Sequence, residues 1–203
     1  MSDALRALAE RGTPRLVARG RRLITEGECG TTIYVILSGR LRAFSSSADG
    51  AREVTYGEYL PGEYVGELSL DDGPRVCDVE AVVTSWLVTV TRVTLESVIA
   101  ERPQLAFELL SKVIRRVRAT TVSLRALALN DVYGRLVELL NERARTRSDG
   151  TRVAGPLTQR EIARLIGCTP SMVSRVLKEL VAGGYVVCND HHFHLVKRAP
   201  SRY

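Results

Sequence analysis

The sequence has few of the side chains on which catalysis and metal binding depend. Its 203 residues contain three histidines, all beyond residue 190, and four scattered cysteines with no C-x-x-C pair. Zinc and iron–sulfur sites need such ligands at short spacing, and nucleophilic catalysis needs a base beside the nucleophile. No Ser–His–Asp set or carboxylate pair stands out. We therefore predict no metal site and no enzyme, and we expect reduced, mainly structural thiols at Cys29, Cys77, Cys168 and Cys188.

Histidine occurs in one short run near the C-terminal end. One interpretation of His191, His192 and His194 is a metal site. The preferred interpretation is a tight hairpin around Asn189-Asp190, because such a turn places these side chains at an exposed tip or against phosphates.

Long apolar runs are absent as well. No stretch of about 20 apolar residues is present, as a membrane-spanning helix would require, and the N-terminus has no apolar signal core. We therefore expect a cytoplasmic protein without a membrane partner.

Positive charge is concentrated in the second half of the chain. Residues 131–203 hold 12 Lys and Arg against 7 Asp and Glu, whereas residues 1–130 hold 17 against 16. The chain is longer than the ~100–150 residues of a typical domain, so two modest domains are expected. The basic excess indicates a polyanionic partner, and a merely soluble basic domain is the alternative.

The most specific motif lies in this basic half and reads LTQREIARLIGCTPSMVSRVLKEL from Leu157. Thr158 and Glu161 can form a capping box at the start of a first helix. Gly167 suits the left-handed residue just past that helix. Thr169 and Pro170 then fit the cap and first position of a second helix. The pattern predicts a helix-turn-helix that enters the DNA major groove.

The second helix of the motif divides into two faces. The apolar positions predicted to face inward are Met172, Val173, Val176, Leu177 and Leu180. The positions left for solvent or DNA are Thr169, Pro170, Ser171, Ser174, Arg175 and Lys178. An arginine at such a place can form a bidentate pair with guanine O6 and N7, and Arg175 is the candidate. The alternative is an ordinary helical hairpin with a solvated arginine.

The first half of the chain has the pattern of an antiparallel β-roll. Short alternating segments between Leu23 and Val93 are separated by turn residues at intervals of roughly ten. Ser38-Gly39 is interpreted as a hairpin turn. The fold class is therefore α+β, with an N-terminal antiparallel β-roll and a C-terminal helix-turn-helix.

A long helix is predicted between the two domains, from Arg102 or Pro103 to about Leu129, followed by another from Asp131 to Ala144. Alternating steps of three and four residues mark a heptad stripe, here called the central seam: Leu110, Val113, Val117, Thr120, Leu124 and Leu127. Such a stripe lets two copies of a helix pair in parallel. The alternative is that the stripe packs on the roll. Arginine-rich flanks and the polar layer at Thr120 favour pairing.

The segment PGEYVGELSLDDGPR, from Pro61, is interpreted as an anion-binding loop. Glycines let backbone N–H groups approach a phosphate, and Arg75 offers a planar fork of donors. Glu67 then needs a hydrogen-bond donor, and a ribose hydroxyl is a natural one. Phosphate with ribose indicates a nucleotide. A surface ion pair between Glu67 and Arg75 is the alternative.

These motifs, in this order, resemble the Crp/Fnr family of bacterial transcription regulators over nearly the whole chain. The segments that carry the resemblance are YVILSGRLRAF, PGEYVGELSL followed by Arg75, ALNDVYGRLVELL and LTQREIARLIGCTPSMVSRVLKEL. The resemblance implies a cyclic-nucleotide-binding β-roll over 1–100, a dimerisation helix over 101–130 and a winged helix-turn-helix over 131–203.

The resemblance also implies roles for individual residues in binding a cyclic mononucleotide, first of all cyclic AMP. Gly66, Glu67 and Leu68 would contact the ribose, and Arg75 would hold the cyclic phosphate. Arg116, Thr120 and Thr121 would read the base, the second hydroxyl residue coming from the partner subunit. Val76 stands where the family usually has serine or threonine, and the loop before it is short. Weak binding, cyclic di-GMP as the ligand, or activity without any ligand therefore remain as alternatives, and no cofactor is obligatory.

The implied partners are double-stranded DNA with a pseudo-palindromic site, a second copy of the chain, and RNA polymerase. A β-roll adaptor for another protein, without specific DNA binding, is the alternative from a different functional class.

Overall fold

The computed structural model describes residues 1–200, and the last three residues of the predicted DNA-binding domain, 201–203, lie outside the described residues. The chain divides into two compact units. The first comprises residues 1–45 and 55–118, and the second comprises residues 46–54 and those from 119 on. The predicted α+β class is confirmed, with an antiparallel β-roll, a long central helix and a C-terminal helix-turn-helix domain.

The first unit is a roll of six strands flanked by short helices. Its elements are α1 (Asp3–Glu10), β1 (Thr13–Val17), β2 (Arg22–Ile24), β3 (Ile33–Ser46), β4 (Glu53–Tyr59), β5 (Tyr64–Val65), β6 (Asp78–Val90) and α2 (Arg92–Glu101). The sheet runs in the order β1-β6-β3-β4, with β2 on β6 and β5 on β3. β6 pairs antiparallel with β1, β2 and β3.

The prediction of a hairpin turn at Ser38-Gly39 is wrong. β3 continues through these residues, and its register with β6 shifts there, as in a β-bulge. Gly39 has φ +95°, and a Cβ at this position would lie 2.1 Å from Oγ of the fully buried Ser85. The glycine therefore permits a close approach of β3 to β6 and does not reverse the chain. Local sequence alone does not distinguish these two roles of a glycine.

Helices α1 and α2 pack against the strands of the roll. Leu5 and Leu8 of α1, Leu95 and Val98 of α2, and Tyr64 belong to one buried cluster. A second buried cluster includes Ile36 and Leu41 of β3, Leu87 of β6 and Val65 of β5. Because the neighbouring residues Tyr64 and Val65 belong to different clusters, the segment that leads into the anion loop is anchored in both.

The central helix α3 spans Gln104–Leu129, close to the predicted bounds. Its first turns pack on the roll through Leu105, which is fully buried. Farther along, the apolar side chains of the central seam are at least partly exposed, with Leu110, Val117, Leu124 and Leu127 all at 40% or more. For Leu110 and Val117, which belong to the first unit, the alternative that the seam packs on the roll is therefore wrong.

The second unit contains a winged helix-turn-helix. Its elements are α4 (Val132–Arg143), β7 (Arg145–Thr146), β8 (Arg152–Ala154), α5 (Gln159–Ile166), α6 (Pro170–Ala182), β9 (Val186–Asn189) and β10 (His192–Leu195). The four strands form one sheet in the order β7-β8-β10-β9. One core joins the three helices to this sheet, with Leu136, Ile162, Val173 and Phe193 almost completely buried.

The hairpin formed by β9 and β10, here called the wing, has its turn one residue later than predicted. β9 ends at Asn189, and the turn is formed by Asp190 and His191, both with positive φ (44° and 64°). Two consecutive left-handed residues are typical of the tight turns that match strand twist. Among residues 1–200, no helix is both long and apolar enough to cross a bilayer.

Candidate nucleotide pocket and DNA interface

The anion loop and the central helix surround a small cavity in the first unit. Its volume is about 40 Å³, and five of the predicted ligand-binding residues line it: Gly66, Glu67, Leu68, Arg75 and Arg116. Gly66 has φ +96° and begins a single 3-10 turn over Glu67–Ser69. The local fold therefore brings the Glu67 carboxylate and the guanidinium groups of Arg75 and Arg116 to one cavity.

Arg75 is held deep in the loop by backbone carbonyls. Its side chain donates hydrogen bonds to the carbonyl oxygen of Gly66 at 2.6 Å and to that of Thr32 at 2.8 Å, and the residue is only 7% exposed. Burial lowers the pKa of its guanidinium. A Cβ at position 66 would lie 2.8 Å from the Thr32 oxygen and 2.9 Å from the guanidinium. Gly66 is thus the residue that lets Arg75 reach its place.

Glu67 forms an ion pair with Arg116 across the cavity. The distance between the two side chains is 2.6 Å, and both are at least four-fifths buried. The guanidinium also donates to the backbone oxygen of Tyr64, and it lies 4.5 Å from the ring centre of Tyr59 and 4.7 Å from that of Tyr64. Burial opposes the charge of Arg116, yet attraction to Glu67 leaves its pKa above the usual value. The alternative pairing of Glu67 with Arg75 is replaced by this contact.

The remaining predicted ligand residues lie on α3 beyond this cavity. Thr120 and Thr121 follow Arg116 by about one helical turn, and both are exposed. They are not among the described residues that line the cavity. Val76 does line it and is half-exposed. The structure therefore gathers the predicted ribose and phosphate groups, together with one of the three predicted base contacts.

Sequence reasoning missed the aromatic surroundings of Arg116. Tyr59 and Tyr64 flank its guanidinium, and both phenols have a raised pKa because they are buried. Cation–π contacts of this kind favour arginine over lysine. The available signal was the pair of tyrosines just before the Gly-Glu-Leu segment. It was not interpretable without knowing that α3 crosses that segment.

A thiol in the cavity wall gives a direct check on the pocket's burial. Cys77 lines the cavity, and burial raises its pKa to about 11. Cys29 and Cys188 are exposed. Because thiolate is the reactive form, a rise of about 2 pKa units lowers reactivity roughly a hundredfold. With a chromogenic disulfide reagent at pH 8, we expect two fast thiols, Cys29 and Cys188, and two slow ones, Cys77 and the buried Cys168, and we expect one of the slow thiols to disappear from the time course in Cys77→Ala. Equal rates for all four thiols would contradict this geometry.

The DNA-facing helix has the predicted caps and faces. Thr158 and Glu161 form a capping box at the start of α5, and Gly167 ends that helix with φ +65°. Thr169 accepts a hydrogen bond from the Met172 N–H at the start of α6. These bonds fix where each helix begins and ends, as the short turn of a helix-turn-helix requires.

The outer face of α6 is polar and positively charged. Pro170, Ser171, Arg175 and Lys178 are exposed, and Thr169 and Ser174 are partly exposed. On the opposite face, Val173, Val176, Leu177 and Leu180 are buried as predicted, whereas Met172 is partly buried. The N-terminus of a helix also carries partial positive charge. The face that sequence predicted for DNA is therefore free of the domain core and suited to a polyanion.

The wing adds a second polar edge beside α6. His192 and His194 lie on β10, on either side of the buried Phe193, and Nδ1 of His192 is 2.9 Å from the Asp190 carbonyl oxygen. Within residues 1–200, no three His, Cys, Asp or Glu side chains are grouped so as to hold a metal ion.

Comparison with known proteins identifies the two domains of the chain. The model of the cyclic nucleotide-binding domain matches residues 14–102, and that of the Crp-like helix-turn-helix domain matches residues 134–199. A CRP-like cAMP-activated global transcriptional regulator of Mycobacterium tuberculosis is 34% identical over 189 residues, which are 91% of this chain and 84% of that protein. The chain belongs to the Crp/Fnr family.

One further relative and one solved structure are also similar to this chain. The cyclic AMP receptor protein of Thermus thermophilus is 31% identical over 85% of this chain and 78% of its own length. The structure of the c-di-GMP responsive regulator CLP of Xanthomonas campestris has a TM-score of 0.83, covering 95% of this chain and 97% of CLP, at 22% identity. That likeness concerns the fold alone. This protein is therefore a Crp-like transcription regulator with a cyclic nucleotide-binding domain and a helix-turn-helix domain, and the family consists of regulators, not enzymes.

Proposed function

We propose that this Crp/Fnr regulator acts in the cytoplasm as a homodimer on a pseudo-palindromic DNA site and is controlled by a cyclic nucleotide, with cyclic AMP as first choice. Residues 1–100 serve as the sensor, 101–130 as the dimerisation helix and 131–203 as the DNA-binding domain. RNA polymerase is the further partner through which a bound regulator of this family acts. The observation that carries the proposal is the pocket in which Glu67, Arg75 and Arg116 converge beside the helix that bears the central seam.

Dimerisation is supported by the exposure of the central seam. Val117 is 59% exposed and Leu124 is 65% exposed on a helix of 26 residues. Isolated exposed apolar side chains are ordinary, but a heptad stripe of them is the pattern of a coiled-coil interface. Thr120 supplies a polar layer within the seam, which favours one register over others.

Cyclic AMP is supported by the chemistry of the pocket and by the names of two relatives. Arg75 can hold a cyclic phosphate, and Glu67 can accept a hydrogen bond from the ribose 2′-hydroxyl. The cavity of about 40 Å³ is smaller than the ~300 Å³ or more of typical ligand sites, so the loop and α3 must separate when a nucleotide enters. Val76 supplies no hydroxyl to the phosphate. Cyclic di-GMP, and activity without ligand, therefore remain as alternative versions of the same regulator.

The Glu67–Arg116 ion pair connects the pocket to the dimer helix. A ribose hydroxyl that binds Glu67 competes with Arg116 for the carboxylate, which frees the guanidinium to contact phosphate or base. Arg116 lies one residue before Val117 of the central seam, so its rearrangement changes how the paired helices meet. Such coupling between two sites is typically worth about 1–3 kcal/mol. Nucleotide and DNA then strengthen each other's binding by the same factor.

The effector assignment is tested by calorimetric titration of the purified protein with cyclic AMP, cyclic GMP and cyclic di-GMP. We expect cyclic AMP to bind and Arg75→Gln to weaken it by about tenfold or more, because a charge-assisted bond to phosphate is lost. Arg118→Gln is the control: it removes an exposed arginine of the same helix that carries Arg116. Equal melting temperatures establish that both variants fold. If none of the three nucleotides gave a heat of binding, control by a cyclic nucleotide would be contradicted.

The DNA assignment is tested separately by electrophoretic mobility shift on genomic fragments. We expect selective binding, strengthened about fivefold or more by the nucleotide that binds. Weak binding without sequence preference would favour a protein-interaction adaptor instead.

A further inference from the structure

A second and larger cavity lies inside the DNA-binding unit. Its volume is about 460 Å³, within the ~300–1,000 Å³ range of small-molecule sites. Its accessible apolar surface comes from Val137 of α4, Leu195 of β10 and Val196. Three further apolar residues that line it, Leu140, Leu180 and Val186, are at least 97% buried in the domain core. The volume is sufficient for a small organic molecule with a short apolar chain.

The mouth of the cavity is positively charged. Arg152, Lys197 and Arg198 line it, and none of the described residues that line it is acidic. The Arg152 side chain donates to the Asn141 side-chain oxygen at 3.2 Å and to its backbone oxygen at 3.3 Å, which fixes the guanidinium at the rim. Because a guanidinium has five N–H groups, donors remain for a ligand.

Lys197 is also fixed at the rim. Its ammonium lies 4.5 Å from the ring centre of Tyr185, a cation–π contact, and the Val196 N–H donates to the Tyr185 carbonyl oxygen at 2.9 Å. Three cations around an apolar surface match a molecule with an anionic head and an apolar body. The carboxylate is the head that a planar arginine fork holds best by two parallel hydrogen bonds.

We propose that this cavity binds a small amphipathic organic acid, with its carboxylate at Arg152, Lys197 and Arg198 and its apolar body against Val137, Leu195 and Val196. The site is separate from the nucleotide pocket. Leu180 belongs to the helix that faces DNA, and Val186 begins the wing. An acid bound here therefore acts on the DNA-binding unit directly and gives the regulator a second input.

The test uses octanoate as the anionic probe and 1-octanol as its uncharged counterpart, each titrated calorimetrically into the full-length protein. We expect saturable binding of one octanoate per chain and at least tenfold weaker binding of octanol, because the alcohol lacks the charge-assisted bonds. Amide shifts in NMR spectra are expected at Tyr185, Val186 and Lys197. Equal affinity for acid and alcohol, or no binding of octanoate, would overturn the proposal.

Two variants separate the site from general charge effects. Lys197→Gln with Arg198→Gln should weaken octanoate about tenfold or more and leave octanol unchanged, whereas Arg147→Gln, an exposed arginine outside the cavity, should change neither. Cyclic nucleotide titration of the same variants should match the unaltered protein, which distinguishes failure here from failure of the sensor. Octanoate binding only after removal of residues 201–203 would assign the cavity to the chain's own end and contradict the proposal.

Discussion

Replacing Arg175 by alanine should strongly weaken sequence-selective DNA binding while the protein stays folded. A bidentate arginine–guanine pair discriminates by about 1–3 kcal/mol. Two copies act on one pseudo-palindromic site, so we expect selective affinity to fall roughly 30-fold or more. The side chain is exposed on α6, and none of its atoms takes part in a described hydrogen bond or ion pair of residues 1–200. Competition mobility-shift assays, with specific and random duplexes at one salt concentration, measure the change.

Lys178→Ala is the matched comparison for Arg175→Ala. It lies on the same exposed face about one turn later, and a lysine there suits phosphate contact, which carries no sequence information. We expect this variant to weaken specific and random duplexes equally and to reduce the salt slope by about one unit per lost contact. If Arg175→Ala behaved in the same uniform way, the assigned base contact would be wrong.

Introducing glutamate at Val117 should dissociate the dimer. In a parallel pair the same residue of each subunit lies in one layer of the central seam, so the change places two carboxylates face to face. An uncompensated charge of this kind costs about 3–5 kcal/mol, which weakens dimerisation by roughly two to four orders of magnitude. Sedimentation velocity at micromolar concentration should show a dimer for the unaltered chain and a monomer for Val117→Glu.

Val122→Glu provides a closely matched control on the same helix. Val122 is 60% exposed against 59% for Val117, and it lies five residues farther along, on the face opposite the central seam. The same change of residue type at the same exposure should leave the dimer intact. Dissociation by both variants, or by neither, would mean that the helices do not pair through the stripe.

Much of this architecture was predictable because local signals agreed with one another. The capping box at Thr158, the left-handed Gly167 and the capped Pro170 each specify the same two helices, and the burial of Val173 and Leu180 follows from the resulting period. The bounds of α3 were close for the same reason. Where several local sequence signals specify the same geometry, that geometry is predictable without knowledge of long-range contacts.

The prediction failed where distant strands and helices determine the geometry. Gly39 was interpreted as a turn because glycine after serine is a turn signal, yet the contact that requires it is Ser85, far along the chain. In the same way, Glu67 was paired in the alternative with its sequence neighbour Arg75, whereas its partner is Arg116, 49 residues away. Both errors concern pairs that tertiary packing brings together.

In the proposed complex, two recognition helices, held by one dimer, read two half-sites of a duplex. Hydroxyl-radical footprinting on a selected fragment measures this arrangement. We expect two protected segments centred about one helical turn apart, roughly 10–10.5 base pairs, with the guanine contact in both lost in Arg175→Ala. A single protected segment, or a footprint unchanged by that substitution, would contradict this arrangement.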